Sequence, residues 1–185
     1  MSILDGGQRT VAASTLKPGR YMCVRTGGWL AWLIRKATRS RVNHTVIIGP
    51  GGDIVEATPR GVHKARLSDY AGMYAVANAD EPMTDEQGME IWSAALGMAG
   101  DGYDFADLPV LGLDCLGWHW NLLFRILGVL PWRICSQAAV MAGAVCVPPM
   151  VWLCGKLGAD QVTPADLARR PGMRRVVWDT RAVRG

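Results

Sequence analysis

The stretch NHTVIIGPGGDIVEA, from Asn43 to Ala57, constrains this chain more than any other. Two runs rich in β-branched residues flank a Gly/Pro turn, the pattern of an antiparallel hairpin. Side chains alternate between the faces of a strand, so the turn decides which residues meet. A three-residue turn closing Ile48 on Gly52 places His44 opposite Glu56, with both side chains on one face. A carboxylate there can orient an imidazole; the alternative is an ordinary cross-strand pair.

Around this hairpin the N-terminal half reads as strands with one helix among them. Pro18-Gly19 is a turn before a strand over residues 21–24. WLAWLIRKATRSR then sets Trp29, Trp32, Leu33 and Lys36 at helical spacing, giving an amphipathic helix with a basic end. GVHKARL and MYAVANA extend the sheet, for an expected four to six strands. The C-terminal half is helical: Thr84 is an N-cap for a helix carrying Met89, Trp92, Ala95 and Leu96, ICSQAAVMAGAV is a further helix, and TPADLARR is a short capped one. Between them lies an apolar, Trp-rich insert near residues 105–132, and an Arg-rich tail near 169–185 ends the chain. No repeat or low-complexity linker divides residues 1–185, so one α+β domain is expected.

Composition narrows the classes. Half of the 185 residues are hydrophobic and the formal net charge is +4, which suits a packed domain and excludes a disordered or collagen-like chain. The 22 positions from Ile134 to Gly155 carry no charge, but Ser136-Gln137, Gly143 and Pro148-Pro149 fit a buried helix followed by a loop better than a membrane span. The five cysteines form no CxxC pair and no Cys/His cluster at zinc spacing, so neither a metal nor a cofactor is expected, and an odd number cannot all pair internally. The opening residues carry no basic and apolar leader, so synthesis in a reducing cytoplasm is expected.

Of the cysteines, Cys135 stands out. It follows Pro131-Trp132-Arg133-Ile134 and opens an uncharged helical run, and a helix N-terminus favours the thiolate form. Cys23, Cys146 and Cys154 read as small core residues. His63 reads as a surface or rim residue of its strand, and His119, between Trp118 and Trp120, as a packed interfacial one.

Eight short steps then fall in order: Pro18-Gly19, Thr38, Asn43-His44, Glu56-Ala57, Gly61-Val62, Tyr103-Asp104, Cys135-Ser136, and Thr163-Pro164 with Asp166-Leu167. Over residues 17 to 168 the chain resembles the circularly permuted branch of the NlpC-type, papain-like cysteine hydrolases, which holds YiiX-like proteins and relatives of lecithin retinol acyltransferase. The resemblance implies a permuted papain-like fold with an antiparallel sheet packed against helices. It also implies Cys135 as nucleophile, His44 as its base and Glu56 as the residue orienting the imidazole, with Tyr103 and Trp132 lining the cleft. The implied substrate is an amide, thioester or ester in an acyl, peptide or lipid compound, with a peptidoglycan peptide and a lipid acyl group as the two classes.

The chain departs from the pattern in its long insert. Leu113-Asp114-Cys115-Leu116-Gly117 resembles the nucleophile motif of the unpermuted enzymes, but the only histidine after Cys115 is His119, and an i,i+4 pair on one helix suits that geometry poorly. Cys115 is therefore the second candidate. The insert favours a greasy or membrane-near substrate and a peripheral membrane contact through 108–132. Carriage in a virion is one route to a wall substrate for a chain made without a leader.

A non-enzymatic membrane-surface or assembly module is the competing class, using the Trp-rich segment as anchor and the tail as grip. From Ala165 to Gly185 six Arg face two Asp, a balance that favours anionic lipid or nucleic acid, though without sequence-specific recognition; the alternative is a solvated C-terminal tail.

Overall fold

The structure, a computed structural model, describes residues 9–100, 102–103, 132–133, 135–145, 152, 159 and 162–179. A seven-stranded sheet runs in the order β1 (Thr10–Ala12), β9 (Arg174–Val177), β6 (Ala75–Ala77), β2 (Tyr21–Val24), β3 (His44–Ile48), β4 (Asp53–Thr58), β5 (Gly61–Arg66). Every pairing is antiparallel except β1 with β9. The helices are α1 (Trp29–Ala37), α2 (Asp85–Gly97), α3 (Cys135–Ala144) and α4 (Pro164–Ala168). A two-residue parallel ladder joins β7 (Gly102–Tyr103) to β8 (Trp132–Arg133). This is the expected α+β arrangement of a sheet packed against helices.

Strands β2 to β6 lie where turn chemistry and β-branched runs put them, and the sheet exceeds the expected four to six because β1 and β9 are added beside β6. The segment read as an Arg-rich tail supplies β9, which wedges between β1 and β6. Val176 turns into the core, while Arg175 and Val177 on the other face are exposed. A single buried position in a run of arginines gives no period to read.

The sheet separates two cores. On one face Tyr21, Cys23, Ile47, Val55 and Ala57 pack with Ile91, Trp92, Ala139 and Trp152. On the other, Met22, Val24, Val46, Ile48 and Ile54 pack with Leu67, Tyr70 and Ala77. Helix α3 lies against β3, β4 and α2. It has ten residues, and no helix among the described residues is long and apolar enough to cross a membrane.

Capping boxes start two helices: Thr84 with Gln87 at α2, and Thr163 with Asp166 at α4, where Pro164 takes the first turn. The C-terminal region is tied to the sheet through Glu81. Its Oε1 accepts from Arg170 Nη2 at 2.8 Å and Trp152 Nε1 at 3.0 Å, and its Oε2 accepts from Asn78 Nδ2 at 3.0 Å.

The Pro18-Gly19 turn sets how close α2 comes to the sheet. Gly19 has φ +78°, and a Cβ there would lie 2.4 Å from Gly88 Cα. Both the backbone conformation and the contact require glycine. Gly19→Ala is expected to cost about 2–4 kcal/mol, read as a lower urea midpoint at an unchanged slope.

Candidate active site

The hairpin that carries His44 and Glu56 forms in a register different from the expected one. Val46 pairs with Glu56 and Ile48 with Ile54, so His44 lies diagonally across from Glu56 and not directly opposite. The turn explains the slip: Pro50-Gly51-Gly52 form it, with Gly51 at φ 64° and Gly52 at φ 80°, and Gly49 N–H donates to Asp53 O at 2.8 Å. Gly52 is thus spent on the turn and cannot serve as the first paired residue. Displacement of the partner by two residues keeps both side chains on one face, and a diagonal neighbour is still in reach of a long side chain. His44 Nε2 donates to Glu56 Oε2 at 2.8 Å.

Cys135 is the first residue of α3 and belongs to the helix-side core. His44 alternates in step with Val46 of the opposite core and is the first residue of β3. Its side chain bonds to Glu56 and lies within electrostatic reach of Cys135. Cys135, His44 and Glu56 are therefore brought together, and all three are buried.

Two further side chains complete the group. Glu56 lies opposite His63 across β4 and β5, and His63 Nε2 is 3.3 Å from Glu56 Oε1 while its Nδ1 contacts Gly61 O at 3.0 Å. His63, read as a surface or rim residue, is half-buried on the carboxylate. The signal was present in the sequence: a two-residue Pro59-Arg60 turn closing Thr58 on Gly61 fixes this pairing. Tyr70, in the helical turn Leu67–Tyr70, donates its O–H to Glu56 Oε2, and its ring stacks on His44 at 6.0 Å between centroids. No spacing rule points to Tyr70, since it reaches the site through a loop that crosses the sheet.

The electrostatics follow from burial and this wiring. Burial pulls the His44 pKa down, but the negative charge and hydrogen bond of Cys135, and then those of Glu56, outweigh it and push it up to about 9. Burial pushes Glu56 up, yet hydrogen bonds from His44 and Tyr70 and the charges of His44 and His63 hold its carboxyl below the usual range. Burial and then the Glu56 carboxylate raise Tyr70, so it stays a phenol and remains a donor.

The other expected site residues fall differently. The backbones of Tyr103 and Trp132 belong to the β7–β8 ladder, which lies beside β5, the strand of His63; their side chains lie outside the described residues. Cys115, His119, Cys146 and Cys154 also lie outside them, as does almost all of the 108–132 segment to which a membrane contact was assigned. Cys23 is a buried core cysteine, 3.6 Å from Thr45 Oγ1. Ser136 Oγ donates to Val162 O, which anchors the first turn of α3 to the segment before α4.

No family model and no curated protein matches the sequence. Among solved structures, the fold matches the crystal structure of the metalloprotein YiiX (DUF1105) from Escherichia coli O157:H7. The TM-score is 0.60 at 14% identity, over 88% of this chain and 98% of that one. At that identity the likeness speaks for the fold alone. This chain thus has a YiiX-like α+β fold, a seven-stranded sheet packed against helices, with buried Cys135, His44 and Glu56 near the starts of α3 and β3.

Proposed function

We propose that this chain is a cysteine-dependent hydrolase or acyltransferase that works through an acyl-enzyme. The observation that carries the reading is the His44 ring, held between the Glu56 carboxylate and a cysteine at the start of a ten-residue helix. Cys135 is the nucleophile. Its sulfur attacks the carbonyl carbon of an amide, thioester or ester, and backbone N–H groups at the start of α3 face the developing oxyanion. The His44 imidazolium gives its proton to the leaving group, and neutral His44 then takes one from water or an acceptor nucleophile that releases the acyl group. Glu56 fixes the ring orientation and favours the imidazolium. Tyr70 and His63 are positioning residues that act through Glu56. Tyr103 and Trp132 are assigned to the substrate cleft, and a peptidoglycan peptide and a lipid acyl group are the two substrate classes in view.

The structural neighbour is described as a metalloprotein. Among the described residues of this chain no group of three or more His, Cys, Asp or Glu side chains is arranged to hold a metal ion. His44 Nε2, both ring nitrogens of His63 and both oxygens of Glu56 are already engaged with one another, Tyr70 and Gly61. No step is therefore routed through a metal.

Incubation with an activated acyl thioester tests the reading. The chain should acquire a hydroxylamine-labile acyl adduct that maps to Cys135 by peptide mass. An adduct on Cys115 would transfer the role to the insert, and no adduct at any cysteine would favour a non-enzymatic module.

A further inference from the structure

An amphipathic helix ordinarily turns its apolar stripe to the core. Helix α1 turns one outward. Trp29, Trp32 and Leu33, spaced i, i+3 and i+4, share a face and are 78%, 55% and 48% exposed, while Ala31 is buried and Ile34 and Ala37 are half-buried behind them.

Cations border this face. Lys36 Nζ lies 6.0 Å from the Trp32 ring centroid, and Arg39 follows the helix at φ 49°. Arg41 and Arg175 lie over the Tyr74 ring at 4.1 and 5.9 Å, and Arg25, just before α1, donates its backbone N–H to Tyr74 O. All five are exposed, and none forms an ion pair with a described residue. The nearby carboxylates Asp80 and Glu81 are taken by Arg174 and Arg170.

Two exposed tryptophans and a leucine, with Lys36, Arg39 and Arg41 on and just after the same helix and paired with no described carboxylate, have the chemistry of a helix lying in a membrane interface. We infer that α1 docks this chain onto an anionic lipid bilayer, with Trp29, Trp32 and Leu33 entering the boundary between headgroups and acyl chains and Lys36, Arg39 and Arg41 meeting lipid phosphates. Charge complementarity selects this occupant. A second copy packed on the same face brings like charges together, and the aliphatic Leu33 beside the two indoles suits acyl chains.

Docking there also orients the molecule. Helix α1 joins the end of β2 to the start of β3. Arg35 Nη1 ties the helix to the sheet by donating to Thr26 O at 2.7 Å and to Asn43 Oδ1 at 2.8 Å, and Asn43 precedes His44. The sheet end that carries His44 is thereby brought toward the bilayer. The docking stands independently of the hydrolase reading.

Co-sedimentation of the full chain with phosphatidylcholine vesicles, with and without about one-third phosphatidylglycerol, tests it. Binding should require the anionic lipid and weaken with salt. It should fall about tenfold or more in Trp29→Ser/Trp32→Ser and about fivefold in Lys36→Gln, with melting temperatures unchanged because these side chains are exposed. No binding, binding indifferent to lipid charge, or undiminished binding by the double Trp variant would overturn the inference. So would loss in that variant only of self-association, or of binding to a single-stranded RNA, since either would assign the face to another partner.

Discussion

Cys135→Ala is expected to abolish acyl-adduct formation and to lower turnover by about four orders of magnitude or more, because no other group in the site can form the covalent intermediate. The fold should survive. Alanine fits where the cysteine is buried, and removing one sulfur from a helix start is expected to cost about 1 kcal/mol. Thermal unfolding of the variant beside its activity separates the two effects. Full turnover in Cys135→Ala would show that the thiol is structural.

Glu56→Gln should produce the second-largest effect. The variant keeps shape and hydrogen-bonding capacity but removes the charge that holds the imidazolium, and it permits the wrong ring tautomer. A loss of about 10²- to 10⁴-fold in kcat/KM is expected. The pH profile gives a readout that a merely structural role would not move. His44 is raised to about 9, so the imidazolium that protonates the leaving group is present below that pH and is lost as pH rises through it. The alkaline limb of turnover should therefore fall near pH 9. In Glu56→Gln that limb should move toward lower pH, because one of the groups raising His44 is gone. Tyr70→Phe should leave the limb nearer its original place, since the phenol acts on Glu56 and not on the ring nitrogen.

Much of this arrangement is legible in the sequence, and the parts that are not have physical causes. Strands β2 to β6 and helices α2, α3 and α4 follow from β-branched runs, capping residues and turn glycines, which are local signals. The His44–Glu56 pairing survived a wrong register because displacement of the partner by two residues preserves the face, whereas a slip by one would have separated the pair. Gly52 caused the slip: a glycine next to a hairpin turn fits either the turn or the strand, and its φ of 80° settles it. His63 was legible through the Pro59-Arg60 turn but was judged by its own strand instead of by its partner. Tyr70 was not, because its approach to Glu56 depends on where the loop after β5 packs. Strand β9 was masked by four arginines within seven residues, 169–175, and the outward face of α1 could not be foreseen, since spacing gives a stripe but not the side on which it lies.

The central claim is that His44 and Cys135 act as one charged pair, and competitive alkylation measures this most directly. At neutral pH, limited iodoacetamide followed by peptide mass mapping should find Cys135 modified faster than Cys23, Cys115, Cys146 and Cys154. His44→Ala should slow that modification by about tenfold or more, while leaving the other four rates unchanged. Modification of Cys115 first, at a rate indifferent to His44, would contradict the account.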